Sequence, residues 1–216
     1  MRLVCVSDTH NQLAKVKLPE GDLLVHSGDW TMQGRLQEVA QFAFDLRNVV
    51  DKFPLGAVVV AGNHDFLAQK ENATTRMLLQ HLKITYLLDE SVTIKGFKFW
   101  GSPWTPWFFD WAFNLERGEE IRKKWDLIPD DTDVLVTHGP PSGILDTIPK
   151  GNGVGCFDLL QRLEDVRPKL CVFGHIHHSY GRKEWARYKG GFTEFVNASI
   201  CTEQYKPTND PIVVDL

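Results

Sequence analysis

The 216-residue sequence has no run approaching the roughly 20 apolar residues that cross a bilayer, and no N-terminal basic-plus-apolar signal is visible. No membrane partner is therefore expected, and the chain reads as soluble. Cysteine is scarce: Cys5, Cys156, Cys171 and Cys201 are far apart, and Cys5 and Cys171 sit inside apolar, strand-like runs. That pattern is most simply read as buried free thiols in a reducing cytoplasm. A surplus of basic charge is missing too. The 24 Lys and Arg residues face 28 Asp and Glu, for a net charge of −4 with both signs interspersed. Without a basic stripe to track a phosphate backbone, long nucleic acids are not expected as partners. No linker, low-complexity tract or repeat divides the chain, so residues 1–216 read as one domain.

What the chain does have is apolar material, 43% of its residues including seven tryptophans, enough for a sizeable core. It is arranged in short runs that stop at polar or glycine-containing clusters. Arg2 to Val6 precedes Ser7-Asp8, Leu23 to His26 precedes Gly28-Asp29, and Ala57 to Ala61 precedes Gly62-Asn63-His64-Asp65. Val134 to Val136 leads into Thr137-His138-Gly139, and Leu170 to Phe173 into Gly174-His175-Ile176-His177. Continuous apolar character predicts interior strands covered on both faces. Between the second and third runs, Leu36, Val39, Ala43, Leu46 and Val50 recur at spacings of three and four, the signature of an amphipathic crossover helix. Parallel neighbouring strands follow, in a layered α/β fold whose ligands collect beyond the strand carboxyl ends. Ser91 to Ile94 and Phe97 to Trp100 flank Lys95-Gly96 and predict a hairpin, hence a second, mixed sheet. Cys156 to Asp165 reads as a helix, and Glu194 to Ser199 and Pro211 to Val214 as late strands.

The five junctions carry the chemistry: Asp8 and His10, Asp29, Asn63 with His64 and Asp65, His138, and His175 with His177. Five of the eight histidines stand there. Carboxylate, imidazole and amide oxygen without thiolate form a ligand set suited to Mn²⁺ first, or to Fe or Zn²⁺. Seven candidate ligands, Asp8, His10, Asp29, Asn63, His138, His175 and His177, are too many for one ion. They suffice for two divalent ions bridged by a carboxylate, for which Asp29 is the natural choice. In Asp8-Thr9-His10 and His175-Ile176-His177, residues two apart share a face of an extended backbone, so each pair is expected to face one ion. Glycines 28, 62, 139 and 174 allow sharp turns and close approach.

In order, these elements resemble the calcineurin-like metallophosphoesterase superfamily, whose pattern is D-x-H, G-D, G-N-H-D/E, a lone H and G-H-x-H. Further runs, Gly101 to Trp104, Trp107 to Asn114, Thr137 to Pro141 and Asn197 to Ser199, resemble the metallophosphoesterase-domain-containing subfamily. The resemblance implies a four-layer α/β/β/α sandwich with two mixed sheets. It implies that Asp8, His10, Asp29 and His177 hold one ion, and Asp29, Asn63, His138 and His175 the other. It also implies a phosphodiesterase acting on small phosphodiesters, cyclic nucleotides among them, by attack of a metal-bridging hydroxide. A phosphomonoesterase, a nucleotide pyrophosphatase and a binding module without turnover are the alternatives. His64, beside Asn63 in a tight turn, is expected to face the substrate and donate to the leaving oxygen. Asp65 is expected to assist catalysis by orienting His64, to cap a helix starting near Phe66, or to do both.

Other features have ordinary readings. His26 and His81 fall outside the pattern, and His178, one residue out of step with His177, is taken as outer-layer or solvent-exposed. The aromatic cluster from Trp104 to Phe113 is expected to be mostly core, with base stacking as the minority reading. Gly151 to Gly155 reads as a turn rather than a phosphate cradle, since the Walker lysine-serine pair is absent.

Overall fold

The computed structural model describes residues 1–81, 83–186 and 192–216. Its strands are β1 (Arg2–Val6), β2 (Leu23–Ser27), β3 (Ala57–Val60), β4 (Ile84–Tyr86), β5 (Glu90–Ile94), β6 (Phe97–Ser102), β7 (Thr105–Pro106), β8 (Asn114–Leu115), β9 (Val134–Thr137), β10 (Leu170–Phe173), β11 (Gly181–Ala186), β12 (Phe192–Asn197) and β13 (Ile212–Asp215). The α-helices are α1 (Leu36–Val50), α2 (Phe66–Lys70), α3 (Asn72–Leu79), α4 (Glu119–Trp125) and α5 (Phe157–Val166). The first sheet runs β13-β1-β2-β3-β4 and the second β11-β12-β10-β9-β6-β5. In the first, β1 to β4 are parallel and β13 is antiparallel to β1. In the second, β12, β10, β9 and β6 are parallel, with β11 and β5 as antiparallel edges.

Period-two alternation along the strands builds the layers. Leu3 and Cys5 of β1, and Val58 and Val60 of β3, pack against Val134 and Val136 of β9 and Leu170 and Val172 of β10, forming the core between the sheets. Their neighbours Val4, Val6 and Val59 turn instead to Val39, Phe42 and Leu46 of α1. On the far side, Leu135, Cys171 and Phe173 meet Ile121 and Trp125 of α4 and Leu159 and Leu163 of α5. Each strand therefore feeds two cores, which explains the unbroken apolar runs. The result is the expected α/β/β/α sandwich with two mixed sheets. All four cysteines are buried and free.

Local chemistry sets the element boundaries. The carboxylate of Glu38 accepts the Arg35 amide at 2.9 Å and closes the first turn of α1. Cys156, expected inside α5, is its N-cap: its sulfur accepts the Leu159 amide at 3.4 Å and the Trp125 indole at 3.3 Å. The hairpin turns at Lys95 and Gly96 with φ of 52° and 84°, the left-handed pair that matches strand twist. No expectation from the sequence covered the edge strands β4 and β11 or the helices α3 and α4.

The parallel strands deliver their carboxyl ends to one edge, where Asp8, Asp29, Asn63, His138 and His175 follow β1, β2, β3, β9 and β10. The two sheets are tied together there. The Ser7 amide donates to Ala198 at 2.8 Å, and the Ile200 amide to Ser7 at 2.9 Å.

Candidate metal centre

The junction residues come together as three overlapping trios: Asp8 with His10 and His177, His10 with Asp29 and His64, and Asp29 with His138 and His175. Within each trio the ligand-type atoms lie within 4.8 Å of one another. Asp29 and His10 are shared, which puts Asp29 between the other groups. Asn63 joins the third trio, its Oδ1 2.9 Å from His138 Nε2, which is itself 3.3 Å from Asp29 Oδ2.

The extended-backbone expectation for the two spaced pairs is overturned. Asp8, His10, Asp29 and His175 have φ of 51°, 41°, 54° and 67°, and His177 opens a short 3₁₀ turn. His175 and His177 consequently fall in different trios, the division that the resemblance implied, whereas Asp8 and His10 share one. Hydrogen bonds between neighbouring junctions hold the left-handed backbone: the amides of Asp8, His10 and Asn11 donate to the carbonyls of Gly28, Asp29 and Trp30 at 2.9, 3.0 and 2.8 Å. Glycine serves close approach here. A Cβ on Gly174 would sit 2.0 Å from Asp8 Oδ2, and one on Gly62 2.3 Å from Asp29 Oδ1.

Tautomers are set from behind. His10, His138 and His177 place Nδ1 3.0 Å from the carbonyls of Thr31, Ser27 and Thr202 respectively. A carbonyl only accepts, so Nδ1 carries the proton and the Nε2 lone pair of the neutral ring faces the cluster. Nε2 of His10 is buried there without a partner. Nε2 of His138 faces Asn63 Oδ1, and Nε2 of His177 lies 3.2 Å from Asp8 Oδ1. With these rings neutral, acceptors converge on acceptors in a buried place and require positive charge between them, either a proton on Nε2 or a cation. The donor set fits divalent cations.

The electrostatics of the cluster show the same need. Burial works to raise Asp8 and Asp29, but surrounding histidines, His177 and His138 foremost, hold both carboxyls well below the usual range. Burial opposes charge on His138, yet Asp29 outweighs it and lifts this imidazole to about 9. His175, by contrast, is pushed down to about 4 by burial and then by His138.

Asp65 does neither task expected of it. Its carboxylate accepts the Thr31 amide at 2.9 Å, the Thr31 hydroxyl at 2.6 Å and the Gly62 amide at 2.7 Å, and makes no side-chain cap to α2. It is thus a buried tie between two ligand loops, pushed up to about 7 by burial and by Asp29. The orienting group for His64 is Met32, whose carbonyl lies 2.6 Å from Nδ1. His26, fully buried, places Nε2 2.9 Å from Thr9 Oγ1, while His178 is exposed.

Beside the cluster lies a cleft of about 420 Å³. The aromatic segment expected to be core mostly faces outward: Trp107, Phe108 and Phe109 are 54%, 54% and 66% exposed, whereas Ala112 and Phe113 are buried. Trp107, Phe108 and Trp111 wall the cleft, and the Trp111 ring lies 4.3 Å from that of His64. Asn114 Nδ2 holds the loop by donating to the carbonyls of Phe108 and Phe109 at 3.1 and 3.3 Å. The glycine segment behaves as a turn, its Gly155 amide donating to Asp146 at 3.0 Å. Two residues given no site role by the sequence are Ser199, in the Asn197 to Ser199 run, whose hydroxyl lies 2.9 Å from Asp8 Oδ2, and Tyr205, in no motif, which lines the cleft.

The sequence profile of calcineurin-like phosphoesterases matches residues 1–179. The chain belongs to the calcineurin-like phosphoesterase family. Across its whole length it is 40% identical to metallophosphoesterase domain-containing protein 1 of Homo sapiens, covering 71% of that protein. It is 35% identical to a UPF0046 protein of Caenorhabditis elegans, over 99% of this chain and 74% of that one. The solved structure of TT1561 of Thermus thermophilus aligns with a TM-score of 0.56 and 15% identity over 91% of this chain and 88% of that one, a likeness of fold. Calcineurin-like phosphoesterases typically have dinuclear metal centres, and the three trios are this member's candidate ligands. No described helix is long and apolar enough to cross a membrane.

Proposed function

We propose that the chain is a one-domain, cytoplasmic phosphodiesterase that hydrolyses small phosphodiesters, cyclic nucleotides among them, with two divalent cations, Mn²⁺ first. The observation that carries this reading is the position of Asp29, common to two trios and flanked by two imidazole-bearing groups. Asp8, His10, Asp29 and His177 would hold one cation, and Asp29, Asn63, His138 and His175 the other. When bound, the cation pair supplies Lewis-acid activation of water and neutralises phosphoryl charge. The protein does the rest. Backbone carbonyls fix the Nδ1 protons so that Nε2 atoms point inward, and Asp65 fastens the loop of Thr31 to that of Gly62. His64, held by Met32 with Nε2 3.9 Å from Asp29 Oδ2, is placed to give a proton or hydrogen bond to the leaving oxygen.

Preference for a diester over a monoester is supported by the charge of the cleft. Arg117 is the one Lys or Arg among the described residues lining it, and its guanidinium already donates to the carbonyls of Gly155 and Val154 at 2.8 and 2.7 Å. A singly charged phosphodiester asks for less additional cationic charge than a dianionic monoester or a pyrophosphate. The test is turnover by the Mn²⁺-loaded protein of a chromogenic bis-aryl phosphate beside its mono-aryl analogue. A panel of 2′,3′- and 3′,5′-cyclic nucleotides and nucleotide pyrophosphates completes it. Faster hydrolysis of the bis-aryl ester is expected. Preference for the mono-aryl ester makes the protein a monoesterase, and no turnover of any of these makes it a binding module.

A further inference from the structure

The loop after β12 carries an aromatic side chain that the ligand set leaves unused. Tyr205 has φ of 56°, a left-handed backbone that a residue with a Cβ adopts only where its surroundings over-determine it. They do so here. The Tyr205 amide donates to the Thr202 carbonyl at 2.8 Å, and its own carbonyl accepts from Gln12 Nε2 at 3.0 Å. The same Thr202 carbonyl fixes Nδ1 of His177, so the turn that orients one imidazole of the cluster also aims the Tyr205 ring.

That ring stands edge-on to His10, with centroids 4.8 Å apart, and to His177 at 5.8 Å, and lies 6.1 Å from the His64 ring. It is 40% exposed and lines the cleft, and its hydroxyl has no hydrogen-bond partner among the described residues. Packing against imidazoles needs only a ring, and phenylalanine would supply it. A phenol on a residue held left-handed at the wall of the cleft is a donor that ring packing alone does not require.

We infer that Tyr205 contacts the substrate, its phenol donating a hydrogen bond to a non-bridging oxygen of a phosphoester seated between His64 and the trio of Asp8, His10 and His177. A neutral donor suits a singly charged diester because it adds direction without a second charge. Trp111, its ring 4.3 Å from that of His64, lines the same cleft.

This rests on the phosphodiesterase reading, and the experiment separates the two. Tyr205→Phe keeps the ring and removes the donor. In the Mn²⁺-loaded full chain, affinity for inorganic phosphate, measured by calorimetry, is expected to fall about tenfold or more, as for loss of a hydrogen bond to a charged group. kcat/KM for the bis-aryl phosphate should fall with it, while metal stoichiometry and Tm stay at parental values. Parental phosphate affinity in Tyr205→Phe overturns the inference, and so does loss of bound metal, which would make the residue a prop for the imidazoles. A parent protein that neither binds phosphate nor turns over any ester instead overturns the underlying phosphodiesterase reading, and the inference with it.

Discussion

The Nδ1 atom of His64 lies 2.6 Å from the main-chain carbonyl oxygen of Met32, which directs Nε2 toward Asp29 and the cleft. A carbonyl accepts the Nδ1 proton whether the ring is neutral or protonated, so His64 can release a proton at Nε2 without turning. His64→Ala should therefore cut turnover by about 10²–10⁴, the usual value of general acid help. Metal content, read by inductively coupled plasma mass spectrometry, should stay at two ions per chain. His64 also belongs to a trio with His10 and Asp29. If metal content falls together with turnover, the residue is a ligand and the acid assignment is wrong.

Asp29 has a different signature. Its Oδ1 accepts the His64 amide at 2.8 Å while Oδ2 faces His138 and His64, so one carboxylate serves two groups and a loop. Asp29→Asn keeps the shape, removes the shared negative charge and points an amide at an imidazole nitrogen. Metal affinity should fall by more than the about 10–100-fold typical of losing an outer-layer partner. Stoichiometry in equilibrium dialysis against Mn²⁺ should drop below two. Retention of both ions at parental affinity would show that Asp29 does not bridge.

Gly174→Ala tests close approach rather than charge. Its Cβ would meet Asp8 Oδ2 at 2.0 Å and Ser7 Oγ at 2.2 Å, neither at the end of a long flexible chain. Asp8 and Ser7 would have to shift from their present positions. Overpacking of this kind destabilises by about 1–3 kcal/mol. The expected outcome is a lowered Tm with weakened binding at one of the two metal positions. Unaltered Mn²⁺ titration would mean that Asp8 can shift without consequence.

Much of the fold and of the cluster could be read in advance because the strands are short, fully buried and end where their polar residues begin. Val4 and Cys5 face different cores yet are both apolar, so the period-two signal vanishes while the run itself marks an interior strand. The left-handed turns at Asp8, His10 and His175 left no trace in the sequence. Asp and His tolerate positive φ better than most residues, but that preference is too weak to assign it, and bonds from one junction to the next impose it. Trp107 to Phe109 depart from the expected core because the expectation rests on aromatic residues usually supplying buried area. Their exposure depends on Asn114, which ties the loop by its backbone and leaves the rings outside. Tyr205 belongs to no motif, and only the fold brings its turn against His10.

His26 shows how the buried layer behind the cluster responds to pH. Its ring is fully buried, Nε2 lies 2.9 Å from Thr9 Oγ1, and Nδ1 accepts the Gly28 amide at 3.3 Å. Burial is the dominant cause of its depressed pKa, about 3 in the folded protein against 6.5. Between these values the unfolded chain binds a proton that the folded chain refuses, so stability rises with pH. The contribution is complete above about pH 6.5 and is lost as pH falls toward 3. The slope approaches 1.4 kcal/mol per pH unit, or about 2 kcal/mol between pH 6.5 and 4.5. His26→Gln has no proton to refuse. Urea unfolding of chelator-treated protein at several pH values should show a shallower acid loss for the variant than for the parent, even if the variant is less stable at pH 7. Parallel stability profiles would mean that His26 takes up its proton without unfolding the chain.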